Sequence, residues 1–399
     1  MRAYSASDEE ARRAHDLIKD WAGEGYITPA QNEQMRQETV CHLRRTNIFL
    51  RLAAFFFTLL IVAAAVGLFY LAFLERARAT NVGVFMVLFA LVCYGAAELA
   101  VSQAALYRFG IEEALAVCSV GLLCVGMLIA FDVSPNSTHL VHPKFLVPLT
   151  GTIFSFWIWH RFGLPYAFLA AMIFAVWLTG YWFAAGTEQH LAVAGFFAIA
   201  QVAVIAIAAR HRHTYLQQRF SIAEALLWLG IYVAVNVQIS GSYTSWLNWR
   251  GIDAQFPRPF YWSTWVLIWC LPPAILARGL RQKDKAIFAV GILIALLTLL
   301  TNKSYLGGPT NTWDPMILGA LLIGIALTVR YWLSTGPGGV RHGFTARRLS
   351  GRDKALVDAG VAVSGLISPH IAVPGPPAPP PEVKFEGGDS GGAGASSDF

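Results

Sequence analysis

Two copies of one octapeptide carry the ionisable residues with the clearest chemical potential in this chain. Arg108-Phe109-Gly110-Ile111-Glu112-Glu113-Ala114-Leu115 and Arg219-Phe220-Ser221-Ile222-Ala223-Glu224-Ala225-Leu226 agree at six of eight positions, with an offset of 111. Each sets an arginine five residues ahead of a glutamate, where a polar stretch turns into a long apolar run. Ionised side chains in or beside hydrocarbon are expensive, so they pair with one another or line a hydrated path for an ion, a proton or a charged substrate. In the sharper reading Glu113 and Glu224 line one polar cavity, tuned by Arg108 and Arg219 and joined by Glu98 near the end of the preceding apolar run. In the plainer reading each glutamate is a helix-start anchor, favoured by the helix dipole by about 0.3–1 kcal/mol, and each arginine meets lipid phosphate.

The elements that must hold these residues are long apolar helices. Of the 399 residues 56% are hydrophobic and 14% charged, with a mean hydropathy of +0.51; a soluble domain carries about 25% charged residues. The apolar runs have the length of about 18–25 residues that crosses about 30 Å of hydrocarbon. They fall at about 48–74, 81–103, 113–132, 145–160, 165–185, 189–209, 220–240, 260–278, 284–301 and 314–333. The expected fold class is therefore all-α, a polytopic membrane helix bundle of about ten spans. The fourth run is short and contains Pro148; its loss would invert everything downstream.

Charge sets the orientation, because Lys and Arg are enriched in segments kept in the cytosol. With the amino terminus inside, Arg76, Arg78, Lys144, Arg250, Arg258 and Lys303 fall in outer loops, and the other 24 of the 30 Lys and Arg fall inside, Arg51 at the inner edge of the first run. The formal charge of +6 is thus an orientation signal and no sign of a nucleic-acid partner. Both termini are expected in the cytosol. The first 45 residues lack the apolar core of a cleavable signal. Cys41 is expected in the cytosol and Cys93, Cys118, Cys124 and Cys270 in spans, which predicts no disulfide, no metal site and no cofactor. Shifting the first four spans by 111 lands close to the next four. Two parallel halves, about 48–160 and 165–278, are expected, with an added pair over 284–333.

Residues 1–46 precede the membrane domain of 47–333. They read as two helices joined by the turn Gly23-Glu24-Gly25, each opened by a capping box, Ser7-Asp8-Glu9-Glu10 and Thr28-Pro29-Ala30-Gln31. Leu17, Ile18 and Trp21 supply an apolar face that Tyr26 and Ile27 would cover. The pattern Trp21-x3-Gly25-x-Ile27-x3-Gln31, set before a long series of apolar helices, resembles a domain-of-unknown-function family of predicted bacterial integral membrane proteins. The resemblance covers about residues 14–45. It implies a bacterial inner-membrane location and supplies no activity. Trp21, Gly25, Ile27 and Gln31 either pack the hairpin and its turn or form a docking site for a cytosolic protein or a second copy of the chain.

Other features carry less. Asp132, His139, His142, Glu188 and His190 read as outer-side loop residues, and Gln201, Asn236 and Gln238 as hydrogen-bonding glue between helices or the lining of a path. Pro272-Pro273 must interrupt a helical hydrogen-bond ladder. The stretch 241–262, with Trp246, Trp249, Phe256, Phe260, Tyr261 and Trp262, reads as an interfacial aromatic belt. Residues 334–399 are basic at first, then proline-rich over 374–381 and Gly/Ser-rich to the end, the composition of a disordered cytosolic tail. No phosphate-cradling glycine loop, metalloprotease helix or serine elbow occurs. Three classes follow: a transporter-like or channel-like membrane protein, a membrane scaffold or regulator using the hairpin and tail, and an envelope lipid or glycan enzyme.

Overall fold

Helices form wherever the apolar runs predict them. The computed structural model describes residues 3–131, 145–239, 256–306 and 313–336 and the pairs 340–341 and 344–345, apart from 24, 40, 45, 184–185, 212–213 and 215. Two helices, α1 (Ala6–Gly23) and α2 (Pro29–Glu38), precede ten more, predominantly apolar ones. These are α3 (Ile48–Phe69, extended by a π turn, Tyr70–Leu74), α4 (Ala79–Ser102), α5 (Ile111–Ala130), α6 (Leu146–Phe162) and α7 (Pro165–Trp182). They continue as α8 (Thr187–Arg210), α9 (Gln217–Val235), α10 (Arg258–Gln282), α11 (Lys285–Tyr305) and α12 (Asp314–Ser334). Eight of them, α3–α5 and α7–α11, are long and apolar enough to cross a membrane, which makes this a multi-pass integral membrane protein. Two two-residue strands, Val340–Arg341 and Phe344–Thr345, pair antiparallel at the head of the segment expected to be structureless. The proline run of 374–381 lies outside the described residues.

Consecutive helices pack as antiparallel hairpins, α4 with α5, α6 with α7, α8 with α9 and α10 with α11. The closest seam is α4–α5, where small residues recur every seven positions: Gly83, Ala90 and Ala97 face Ser119 and Gly126, all buried. A Cβ on Gly126 would lie 2.8 Å from the Gly83 carbonyl oxygen, so the two backbones touch directly. By contrast α3 buries only Thr58 and Val62 and turns Phe56, Phe57 and Leu60 outward, as a lipid-facing helix would.

Between α9, α10 and α11 a hydrogen-bonded network is set into an apolar seam that includes Ile268, Ile275, Ile287 and Ile294. Pro272 has no N–H to give to the Ile268 carbonyl one turn back, yet α10 runs through without interruption. The freed carbonyl accepts instead from Thr298 Oγ1 on α11 at 3.0 Å, a hydroxyl shared with the Ile294 carbonyl. Tyr232 Oη lies 2.9 Å from the same Oγ1, and Asn236, fully buried at the end of α9, donates to Tyr232 Oη and Thr301 Oγ1, both at 3.0 Å. Asn236 and Gln238 thus tie helices together, and Gln238 also donates to Tyr261 Oη at 2.9 Å. Thr298→Val keeps the shape and removes the donor, so it is expected to lower stability by about 1–3 kcal/mol, the loss from an orphaned buried carbonyl. Unfolding in detergent, with Thr298→Ser retaining most of the stability, checks this.

The amino-terminal hairpin forms with one shift. Thr28 and Gln31 complete the expected reciprocal box. At α1 the cap is Ser5, not Ser7: Ser5 Oγ accepts from the Asp8 N–H at 3.1 Å. The helix begins two residues early because Ser5-Ala6-Ser7-Asp8 is itself a serviceable box, and this leaves Glu9 to turn inward, 8% exposed. The apolar face also differs. Ile18 is buried at 4%, while Leu17, Trp21 and Tyr26 stand exposed at 42%, 41% and 75%.

Candidate functional site

The octapeptide copies begin differently. In the first, the loop 103–110 passes through left-handed backbone at Ala105, Arg108 and Gly110 before α5 starts at Ile111. In the second, α9 already runs from Gln217, so Arg219 to Leu226 is helical throughout. Gly110 makes the difference, with φ at +109° and the Arg51 carbonyl packed where a Cβ would stand. The loop is clamped by the segment that leads into α3: Arg44 N donates to the Ala105 carbonyl at 2.9 Å, and Tyr107 N donates to the Arg44 carbonyl at 3.0 Å.

Three carboxylates of this end of the bundle are held by arginines from other helices. Glu113, 3% exposed, accepts Arg51 Nε of α3 at 2.8 Å and Nη2 at 2.5 Å, a bidentate fork. Glu224, also 3% exposed, accepts Arg278 Nε of α10. Glu98 accepts Arg161 Nε at 2.6 Å and Nη2 at 2.8 Å, and Tyr94 Oη donates to it at 2.8 Å. The partners of Glu113 and Glu224 come from helices that the repeat does not equate, α3 and α10. Beside them Glu112 is buried; its Oε1 caps the Phe109 N–H at 2.7 Å, while Oε2 and the nearby Tyr166 Oη have no hydrogen-bond partner among the described residues.

The repeat arginines behave otherwise. Arg108 and Arg219 both line one cavity of about 50 Å³, walled by Trp159, Phe162 and Phe168 and shared with Glu9 of α1. Arg219 lies over the Trp159 ring, 4.0 Å from its centroid, and Arg108 lies 5.6 Å from that of Tyr107. Neither Glu113 nor Glu224 is among the residues lining it.

The hairpin is fastened across this end. Ala3 N donates to the Arg161 carbonyl at 3.0 Å, and the buried Tyr4 ring meets Tyr107 edge-on at 5.0 Å. Burial, then the neighbouring Glu112 carboxylate, push the Tyr4 phenol well above its ordinary value of 10.0. The raised value belongs to the docked state, so its stabilisation is complete below pH 10 and is lost as pH rises beyond. A nitroxide at Leu17→Cys, with the native cysteines replaced by alanine, is expected to stay immobilised from pH 6 to about 9.5 and to loosen above about pH 10. Tyr4→Phe is expected to remove that alkaline transition.

The remaining sequence candidates lie elsewhere. Trp21 is exposed, Gly25 makes the turn at φ +76°, Ile27 is half-buried and Gln31 serves the cap. His190 is buried and its Nδ1 meets the Ala234 carbonyl at 2.8 Å, against the rings of Phe256 and Phe260; Glu188 is exposed. Asp132, His139, His142, Trp246 and Trp249 lie outside the described residues. Sequence reasoning passed over Tyr4, Glu9, Glu112, Arg161 and Arg278 as site residues. Only Arg51, a lone cation inside Phe49-Leu50-Arg51-Leu52-Ala53, announces that it needs an acidic partner. No protein-family model, curated protein or solved structure matches the chain.

Proposed function

We propose that this protein is a transporter-like membrane protein of the bacterial inner membrane, with ten spans, both termini in the cytosol, and a polar cavity between two related halves at the cytosolic end. One observation carries the reading: Arg108 and Arg219, the same position of the duplicated octapeptide, share one cavity beneath the hairpin. The ten-span count is supported by contacts of the amino terminus. Residues 3 and 44 bond to residues 161 and 105, so the loops after α4 and α6 share the hairpin's end of the bundle, which supports α5 and α6 as an outward and a returning crossing. At about 26 Å, α6 is short for a span, and with α12 it completes an even number. The inner bias of Lys and Arg supports a cytosolic location for that end.

Leu17, Trp21 and Tyr26, exposed on the hairpin, favour a second reading, a scaffold that holds a cytosolic partner. Charge movement on supported membranes after salt-concentration jumps separates the two. The transporter reading expects currents in the intact protein that vanish in Arg108→Gln/Arg219→Gln while the fold persists. The scaffold reading expects none, and a partner lost on Leu17→Ser/Trp21→Ser.

A further inference from the structure

The two octapeptide copies differ at two positions, and at one of them the first copy carries an extra acid. Glu112 has Ala223 as its counterpart, and both are 1% exposed, so a buried carboxyl stands where the second copy packs a methyl group. Glu112 Oε1 caps the Phe109 N–H, a task that an uncharged amide or a protonated acid performs as well. Its Oε2 has no hydrogen-bond partner among the described residues, and neither has Tyr166 Oη. We propose that Glu112 is a proton-binding site, holding a proton on Oε2 while the bundle is closed over it and releasing it when that end hydrates. That this proton is the coupling ion of transport rests on the transporter-like reading.

Charge balance at the site supports the proton. Arg51 reaches in from α3 and closes a bidentate fork on Glu113, so one guanidinium stands against two carboxyls. The amino-terminal stretch and α7 turn Tyr4 and Tyr166 toward Glu112, phenol groups and no cation. In the loop 103–110, Tyr107 packs against Tyr4, and Arg108 lines the cavity beneath α1, which Glu112 does not line. On α4, packed along α5, Glu98 is committed to Arg161. With both carboxyls of α5 ionised, the pair and Arg51 together hold one negative charge in excess, and a buried charge without its own counter-ion is costly. One proton on Oε2 cancels that charge and leaves Arg51 and Glu113 as a neutral pair. Glu113 is the poorer place for it, because its two oxygens already accept from Arg51. Protonation also turns Oε2 from an acceptor into a donor, and Tyr166 offers an unengaged hydroxyl beside it. In alkali the same group stands as the carboxylate beside Tyr4.

Infrared spectroscopy of the full chain in phosphatidylcholine nanodiscs tests the proposal, since a protonated carboxyl has a C=O stretch apart from those of carboxylates and amides. At about pH 6, where Asp and Glu in water are ionised, native protein is expected to show this band. The band should shift in D2O and fade as pH rises toward about 9. Glu112→Gln keeps the cap and the neutral shape and is expected to abolish the band; Glu112→Ala, the residue of the second copy, should do the same, and Glu112→Asp should restore a titrating band. The proposal is overturned by the absence of the band, or by a band that survives Glu112→Gln and Glu112→Ala. A band that neither exchanges nor titrates also overturns it, as a fixed structural acid, and so does one that disappears when sodium replaces choline at constant pH, which gives the site to a metal cation. Charge movement on supported membranes separates failure of the site from failure of the transporter reading. Currents after salt jumps in a native protein without the band remove the proton site alone. A titrating band in a native protein that gives no current after salt or pH jumps leaves the proton site standing and removes transport.

Discussion

Arg51→Met is expected to destabilise the protein by about 3–5 kcal/mol, while Glu113→Gln costs about 1–2 kcal/mol, although the two substitutions break the same ion pair. The asymmetry follows from burial. The Glu113 side chain is 4% exposed and that of Arg51 30%. Removing the arginine strands a carboxylate beside Glu112 in a dry seam. Removing the carboxylate leaves an arginine near the first turn of α3 that can extend its head to lipid phosphate. The pair Arg278 and Glu224, at 29% and 4%, is expected to behave alike. Because a buried pair as a whole is close to neutral, the double variant Arg51→Met/Glu113→Gln should recover most of the loss. A double-mutant cycle on unfolding in micelles checks this; equal costs for the two single variants would show that the carboxylate is reached by water. Loss of activity in Glu113→Gln alone therefore does not identify a transport residue unless the fold is shown to survive.

The ion pairs also mark where sequence reading stops. Apolar length is a local property, and the ten helices start and end within a few residues of the ten runs. Even the short fourth run appears as α6, because Pro148 falls in its first turn, where a missing N–H is harmless. Caps are nearly as local: the Thr28 box forms as spelled, and the Ser7 box yields to Ser5, an equally good cap two residues upstream. The choice of arginine for each glutamate is not local. Glu113 and Arg51 are 62 residues apart, Glu98 and Arg161 63, Glu224 and Arg278 54. Helix packing decides those partners, and the chain offers several arginines of the same type at the same depth. Docking of the hairpin was hidden for the same reason. Tyr4 and Glu9 look like residues of a solvated leader until the loop at 103–110 is in place to receive them.

The duplicated octapeptide shows how small a change redirects such a motif. Writing the second copy's serine into the first, Gly110→Ser, is expected to cost about 3 kcal/mol or more, by the cost of a side chain at positive φ and of overpacking against backbone. Its Cβ would fall on the Arg51 carbonyl oxygen, and neither partner there is a flexible side chain that could move aside. Relief requires α3 to retreat from α5, which also pulls Arg51 away from Glu113. The reverse exchange, Ser221→Gly, removes a 2.6 Å hydrogen bond to Asp284 and adds a glycine to a helix, about 1–2 kcal/mol together. Thermal unfolding of the two single variants should therefore separate them clearly, and Gly110→Ala should resemble Gly110→Ser because the clash lies at Cβ. Were Gly110→Ala neutral, the left-handed entry to α5 would be dispensable, and Arg108 would reach the cavity from an ordinary helical start, as Arg219 does.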